Sequence, residues 1–215
     1  MQWLTKKNEF PPVESASEDG LLAMGGDLSI ERLLLAYKSG IFPWFNEDSL
    51  ILWWSPDPRL VLFPNKIKIS KSMQKVLGTD QFKLTSNMCF EKVLDLCAAV
   101  KRKEQEGTWI TPKMKSAYLA MHIEGHAHSY EVWQDEKLVG GLYGIDLGHV
   151  FCGESMFSSV SNASKFALIK LAQELEQKNY LMIDCQVPTD HLKSMGAEEL
   201  SRKDFISILK NQTSL

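Results

Sequence analysis

The chain has no apolar run approaching the ~20 residues that a membrane span requires, and its opening stretch, Met1 to Phe10, holds no apolar core of signal-peptide length. Its four cysteines (Cys89, Cys97, Cys152, Cys185) are scattered and form no C-x-x-C pair, which reads as reduced, buried thiols. The expectation is a cytoplasmic protein with no membrane contact and with reduced, packed thiols. An overall basic excess is also missing, because the net charge is −3. That excludes a chain basic throughout, but not a local basic patch. There is no internal repeat and no low-complexity segment. Apolar residues make up 44% and charged residues 24% of 215, the balance of a globular chain large enough to fold without a metal or disulfide staple.

What the chain does have is concentrated. Gly40-Ile-Phe-Pro-Trp-Phe45 and Trp53-Trp-Ser-Pro-Asp-Pro-Arg59 crowd tryptophan and proline into turns and short extended pieces. Trp44, Trp53, Trp54 and Trp109 can each be core, but four in such surroundings suggest a surface platform on which a flat group stacks. From Arg59 to Lys83, six basic side chains (Arg59, Lys66, Lys68, Lys71, Lys75, Lys83) face only Asp80, which reads either as a solvated face or as a phosphate track.

The periodicities predict an α+β chain. Asp27 or Ser29 caps a helix over 30–39 that stops at Gly40. Arg59 to Phe63 is a strand ended by Pro64, and a domain boundary is placed near 64–70. Helices come next at 71–77 behind Ser70, at 89–103 and at 112–125, with Pro112 in the first turn. Strands over 129–133, 138–145 and 149–158 form a meander. Asn162 or Ser164 opens a long helix to about Lys178, then come a buried strand over 181–187, a turn at 191–195 and a helix over 202–211. A meander, a helix and a further strand is the order found at the core of N-acetyltransferases. Those that use coenzyme A carry a glycine-rich pyrophosphate loop where this chain has Ser158-Ser-Val-Ser-Asn-Ala163, so coenzyme A is not the expected donor.

Three common site patterns fail. His122, His126 and His128 are split by Gly125 and lack a carboxylate third ligand, so no metal is expected. Gly153-Glu-Ser-Met-Phe157 lacks the final glycine of a nucleophile elbow and lies in a strand. Cys185 alternates to the face opposite Asp184. The same alternation puts Asp184 and Gln186 on one face, either as a satisfied structural pair or as a proton-handling pair. In the second case the Gln186 oxygen accepts from an incoming amine while Asp184 orients the amide. Glu154 and Met156 are expected to share a face, which would give a pocket with a polar rim and an apolar floor.

These blocks, together with Gly20-Leu-Leu-Ala-Met-Gly-Gly-Asp27, Glu106-Gly-Thr-Trp-Ile110, Gly125-His-Ala-His-Ser129, Leu138-Val-Gly-Gly141, Phe151-Cys-Gly-Glu-Ser-Met-Phe157 and Asp184-Cys-Gln-Val187, resemble the leucyl/phenylalanyl-tRNA–protein transferase family from about Leu21 to Arg202. The resemblance implies a small N-terminal α+β domain (1–65). An N-acetyltransferase (GNAT)-like domain (66–215) comes after it, its mostly antiparallel sheet flanked by helices. It implies transfer of leucine or phenylalanine, less well methionine, from aminoacyl-tRNA to proteins with N-terminal arginine or lysine, marking them for degradation. No cofactor is expected, and the expected state of the chain is a monomer. Trp44 and Trp109 would hold the terminal adenosine, and Leu142, Phe151, Glu154, Met156 and Ile183 would form the aminoacyl pocket. Asp184 and Gln186 would be the catalytic pair, and Lys68, Lys71 and Lys75 would meet the tRNA backbone. Leu142 stands where the family often has methionine. Gly78 replaces a basic residue, which shifts weight to Lys68 or to Lys101-Arg102-Lys103. A coenzyme-A-dependent N-acyltransferase and a non-catalytic tRNA-binding module are the competing readings.

Overall fold

The computed structural model describes residues 2–100 and 108–211, and the Lys101-Arg102-Lys103 run lies outside them. Four short strands and one helix come first: β1 (Gln2–Leu4), β2 (Leu21–Gly25), α1 (Ile30–Lys38), β3 (Phe42–Pro43) and β4 (Leu52–Trp54). They form a sheet in the order β1-β2-β4-β3. Ser29 caps α1 by accepting from the Arg32 N–H. Gly40, at φ +74°, ends it under Phe205, where a Cβ would come within 3.0 Å of the ring.

The rest of the chain builds around a second sheet. In order it runs β5 (Arg59–Leu62), α2 (Lys71–Leu77), β6 (Lys83–Ser86), α3 (Phe90–Ala98), α4 (Pro112–Ile123), β7 (Ala127–Gln134), β8 (Lys137–Asp146) and β9 (Val150–Ser158). Then come α5 (Ala163–Gln177), β10 (Met182–Gln186), α6 (Asp190–Ser194), β11 (Glu198–Leu200) and α7 (Arg202–Lys210). The sheet order is β11-β5-β10-β9-β8-β7-β6. Its pairs are antiparallel apart from β9 with β10, because α5 carries the chain back across the sheet between those two strands.

Two expectations are corrected by this arrangement. A boundary near 64–70 would put Arg59–Leu62 with the N-terminal sheet, yet β5 is an inner strand of the large sheet, flanked by β10 and β11. All four of its residues are buried, the mark of a strand covered on both faces. Pro64 therefore ends a strand rather than a domain, and the break between the sheets falls between Trp54 and Arg59. Second, the helix expected over 89–103 has its described turns at Phe90–Ala98.

One face of the large sheet is covered by α5 with α2 and α6, and packs Leu142, Phe166, Leu168, Leu171 and Ile183 together. The other is covered by α1, α3, α4 and α7, with Leu33, Val93, Tyr118, Tyr143 and Phe205. Trp53 is wholly buried there, its indole donating to the Gly25 carbonyl at 2.9 Å, so it is core and not platform. His122 is also spent on packing: it lies flat against Phe90 at 4.1 Å and binds the Ala127 carbonyl. Among the described residues no helix is long and apolar enough to cross a membrane.

Candidate active site

The site is built where β9 and β10 part. Their parallel pairing covers only Val150–Cys152 with Met182–Asp184, while β9 continues to Ser158 held by β8 alone. On its other edge β10 shifts register against β5 between Asp184 and Gln186. Gln186 sits at φ +63°, a left-handed conformation uncommon for a side-chain-bearing residue. A cavity of about 730 Å³ occupies the parting, a size suited to a small-molecule-sized group.

Leu142, Met156, Ile183, Leu168 and Leu171 supply its apolar side. The structure brings together in this cavity the first three, which the resemblance assigned to the aminoacyl pocket. The two α5 leucines do not figure in that assignment, because helical periodicity marks them only as core. Phe151 is corrected: it is 1% exposed, does not line the cavity, and packs edge-on against Tyr130. Its ring lies over Gly144, where a Cβ would sit 2.5 Å from it, so only glycine permits that approach. Phe151 thus supports the pocket from behind.

Glu154 does not share a face with Met156. A register shift between Tyr143 and Gly144 opposes Gly153–Ser155 in a bulge, which breaks the alternation. Met156 faces the α5 layer, while Glu154 reaches Tyr118 on the opposite side. Tyr118 Oη donates to Glu154 Oε2 at 2.6 Å, Gln186 Nε2 donates to Glu154 Oε1 at 2.6 Å, and the Tyr37 and Tyr118 hydroxyls share a 2.8 Å hydrogen bond. Burial raises the Glu154 carboxyl to about 7, opposed by the donors Tyr118, Tyr37 and Gln186 and reinforced by the charge of Asp184. Burial, followed by the Glu154 charge, raises both tyrosines well above their ordinary value.

Asp184 does not reach the cavity or the Gln186 side chain. Arg59 Nε and Nη2 donate to its Oδ1 and Oδ2 at 2.8 and 2.7 Å, with both side chains 1% exposed. Asp184 Oδ1 also accepts the Gln186 backbone N–H at 3.0 Å. Glu154, not Asp184, therefore holds the Gln186 amide. The bulge after Asp184 is the reason: it turns Gln186 away from the face that strict alternation assigned to it. Arg59 also leaves the candidate phosphate track, since its guanidinium lies between the Phe42 and Phe205 rings at 4.7 and 4.8 Å.

Trp44 and Trp109 also line the cavity. Trp44 is 42% exposed, and Trp54 is tilted beside it with its indole donating to the Trp44 carbonyl at 2.7 Å. Trp109 is 5% exposed and packs edge-on to Tyr118. Cys185 lines the apolar side, opposite Asp184 as expected, and burial pushes its thiol well up, which suits packing and not nucleophilic attack. His191, unforeseen in the sequence, also lines the cavity, and burial followed by the charge of Lys165 lowers its pKa. Lys68, Lys71 and Lys75 lie beside and on α2, away from the core, in no ion pair among the described residues.

Comparison with known proteins finds two matching families along the chain. Residues 61–210 match the leucyl/phenylalanyl-tRNA protein transferase family, and residues 26–57 match the N-terminal domain of that family. A leucyl/phenylalanyl-tRNA–protein transferase of Flavobacterium johnsoniae is 59% identical over 212 residues, 99% of this chain and 100% of the relative. One from Christiangramia forsetii is 56% identical over 211 residues, 97% and 100% of the two chains. Among solved structures, an aminoglycoside acetyltransferase from an uncultured soil metagenomic sample aligns with TM-score 0.40 and 14% identity, covering 63% of this chain and 91% of that one. A GCN5-related N-acetyltransferase from Kribbella flavida aligns with TM-score 0.41 and 10% identity, covering 77% and 58%.

Proposed function

The chain belongs to the leucyl/phenylalanyl-tRNA–protein transferase family, and from that premise we propose that it moves leucine or phenylalanine, less well methionine, from aminoacyl-tRNA to the α-amino group of proteins beginning with arginine or lysine, marking them for degradation. The reaction is direct aminolysis: the amine nitrogen bonds to the ester carbonyl carbon, the bond to the ribose oxygen breaks, and that oxygen leaves with a proton. An activated ester makes the exchange favourable without ATP. An α-amine with a pKa of about 7.7–8.0 needs only a modest acceptor, so most of the rate comes from positioning.

One observation carries this reading. Gln186 Nε2 is taken by Glu154 at 2.6 Å, so the amide presents its oxygen to the cavity, where an amine can donate to it. The apolar side formed by Leu142, Met156, Leu168, Leu171 and Ile183 suits a leucyl or phenylalanyl side chain. Differences of a methylene in such a pocket are worth only ~1–3 kcal/mol, consistent with more than one accepted amino acid. Trp44 and Trp109 suit the terminal adenosine, and Lys68, Lys71 and Lys75 the tRNA backbone. Asp184 is already neutralised by Arg59, which leaves Glu154 as the anion at the cavity for a cationic acceptor. At the start of α5, the Ser158 hydroxyl accepts the Ser164 N–H at 3.3 Å, an amide that a coenzyme A pyrophosphate would otherwise take.

The test is transfer of labelled leucine from Leu-tRNA to a peptide beginning with arginine, beside one beginning with alanine. Transfer to the arginine peptide alone, greatly slowed but still measurable in Gln186→Ala with Leu-tRNA binding retained, is the expected result. Intact tRNA binding with no transfer to either peptide would overturn it.

A further inference from the structure

We propose that Arg59, 125 residues away from Asp184 in the chain, is a positioning residue for the transfer: by clamping the Asp184 carboxylate it holds the β10 bulge that turns the Gln186 amide into the cavity. The proposal rests on the transferase reading for the reaction it serves, but not for its geometry.

Gln186 is the point on which the clamp acts. Its φ of +63° is disfavoured for any residue with a Cβ, so surrounding contacts must hold it. Two contacts act on it from opposite ends. Its side-chain Nε2 is drawn to Glu154, and its backbone N–H is drawn back to Asp184 Oδ1 at 3.0 Å. Asp184 can serve as a fixed anchor only if its own torsions are fixed. Arg59 fixes them with two parallel hydrogen bonds, which define the plane of the carboxylate as well as its position. Arg59 is immobilised in turn by the Phe42 and Phe205 rings on either side.

The resulting chain of contacts, from Phe42 and Phe205 through Arg59 and Asp184 to the Gln186 backbone, acts from outside the reacting atoms. It sets the direction of the one side chain whose oxygen faces the amine. The planar fork is essential to this role. A lysine keeps the charge but presents a single point donor to two oxygens, so Asp184 gains the freedom to rotate and the bulge loses its anchor.

The decisive experiment compares Arg59→Lys, Gln186→Ala and the double variant, measuring kcat, KM for the acceptor peptide and for Leu-tRNA, and Tm. Arg59→Lys is expected to lower kcat by about 10²-fold, the scale of a small misplacement of a reacting group, with both KM values nearly unchanged. In the Gln186→Ala background the same substitution is expected to leave kcat unaltered while still lowering Tm, because a positioning effect vanishes with the group it positions whereas a packing effect does not. Equal kcat losses in both backgrounds, or no loss in the wild-type background, would overturn the proposal.

A second measurement is independent of activity. The Gln186 side-chain NH2 signal in a 15N-labelled sample, assigned by its loss in Gln186→Ala, is expected to be shifted and protected from exchange in the wild type and to move toward the free-glutamine position in Arg59→Lys. An unmoved signal would also overturn it. A wild-type chain that transfers leucine to neither peptide, yet whose Gln186 signal responds to Arg59→Lys, would fail the transferase reading and leave the clamp standing.

Discussion

Gln186 Nε2 and Glu154 Oε1 lie 2.6 Å apart, on strands that no longer pair with one another at that level. That hydrogen bond fixes which end of an amide faces the cavity, and it depends on a carboxylate whose burial raises its pKa to about 7. An ionised Glu154 can only accept, so the amide must turn its NH2 toward it. A protonated Glu154 can donate, which allows the amide to reverse.

The pH dependence has a definite sign. Folding raises the Glu154 pKa from 4.5 to about 7, so between those values the folded chain holds a proton that the unfolded chain has lost. The stability linked to this group is full at the acidic end and is eroded as pH rises to about 7, then levels off. In Glu154→Gln the erosion is absent. The Tm of the variant minus that of the wild type should therefore grow across this range, read by scanning calorimetry at closely spaced pH. The wild-type kcat/KM should show a limb near pH 7 that the variant lacks. A Tm difference that is flat with pH would refute the assignment.

Asp184→Asn should act on stability before chemistry. It leaves the Arg59 guanidinium buried and uncompensated, a loss of about 3–5 kcal/mol for a broken buried pair. Urea unfolding would measure it. A variant as stable as the wild type would refute the buried-pair reading of Arg59 and Asp184.

Trp44 and Trp53 should separate cleanly. Trp44 is 42% exposed and Trp53 is 0% exposed. Trp44→Ala should weaken Leu-tRNA binding by about 1–3 kcal/mol, the worth of one stacked base, with little change in Tm. Trp53→Ala should cost about 3–5 kcal/mol of stability, as for other buried aromatics. Filter binding beside thermal melts tests both. Equal Tm losses would remove the platform role of Trp44.

Leu171 is 1% exposed and forms part of the apolar side of the cavity. Leu171→Ala deepens that side, so the ratio of Phe to Leu transfer should rise by roughly tenfold, within the ~1–3 kcal/mol that such pockets discriminate. Competition between Phe-tRNA and Leu-tRNA would show it. An unchanged ratio would place the side-chain subsite elsewhere in the cavity.

Much of the fold is legible in the sequence because its signals are local. The cap at Ser29, the proline in the first turn of α4 and the alternating meander each depend on neighbours in the chain. The short strands β1, β6 and β11 are not legible, because three or four residues without the unbroken apolar run of β5 carry too little pattern to separate a strand from a loop. In the site, strict alternation fails twice, at Glu154 and at Gln186. In both places a bulge inserts a residue and reverses the facing of the residues beyond it; Gly153 beside Glu154 is the one local sign of the first, and no glycine marks the second at Gln186. Arg59 reads as a surface cation because nothing nearby in sequence shows that its partner is Asp184. A buried arginine among four consecutive buried strand positions is a property only the folded chain displays.

The contacts that set Gln186 draw on residues 42, 59, 184 and 205. During synthesis the first two leave the ribosome long before the last two. The amide therefore has no complete anchor until α7 has emerged. A chain cut short before that helix retains the pocket-lining strands but lacks one wall of the arginine's aromatic sandwich. The anchor of the amide thus joins early and late segments of the chain.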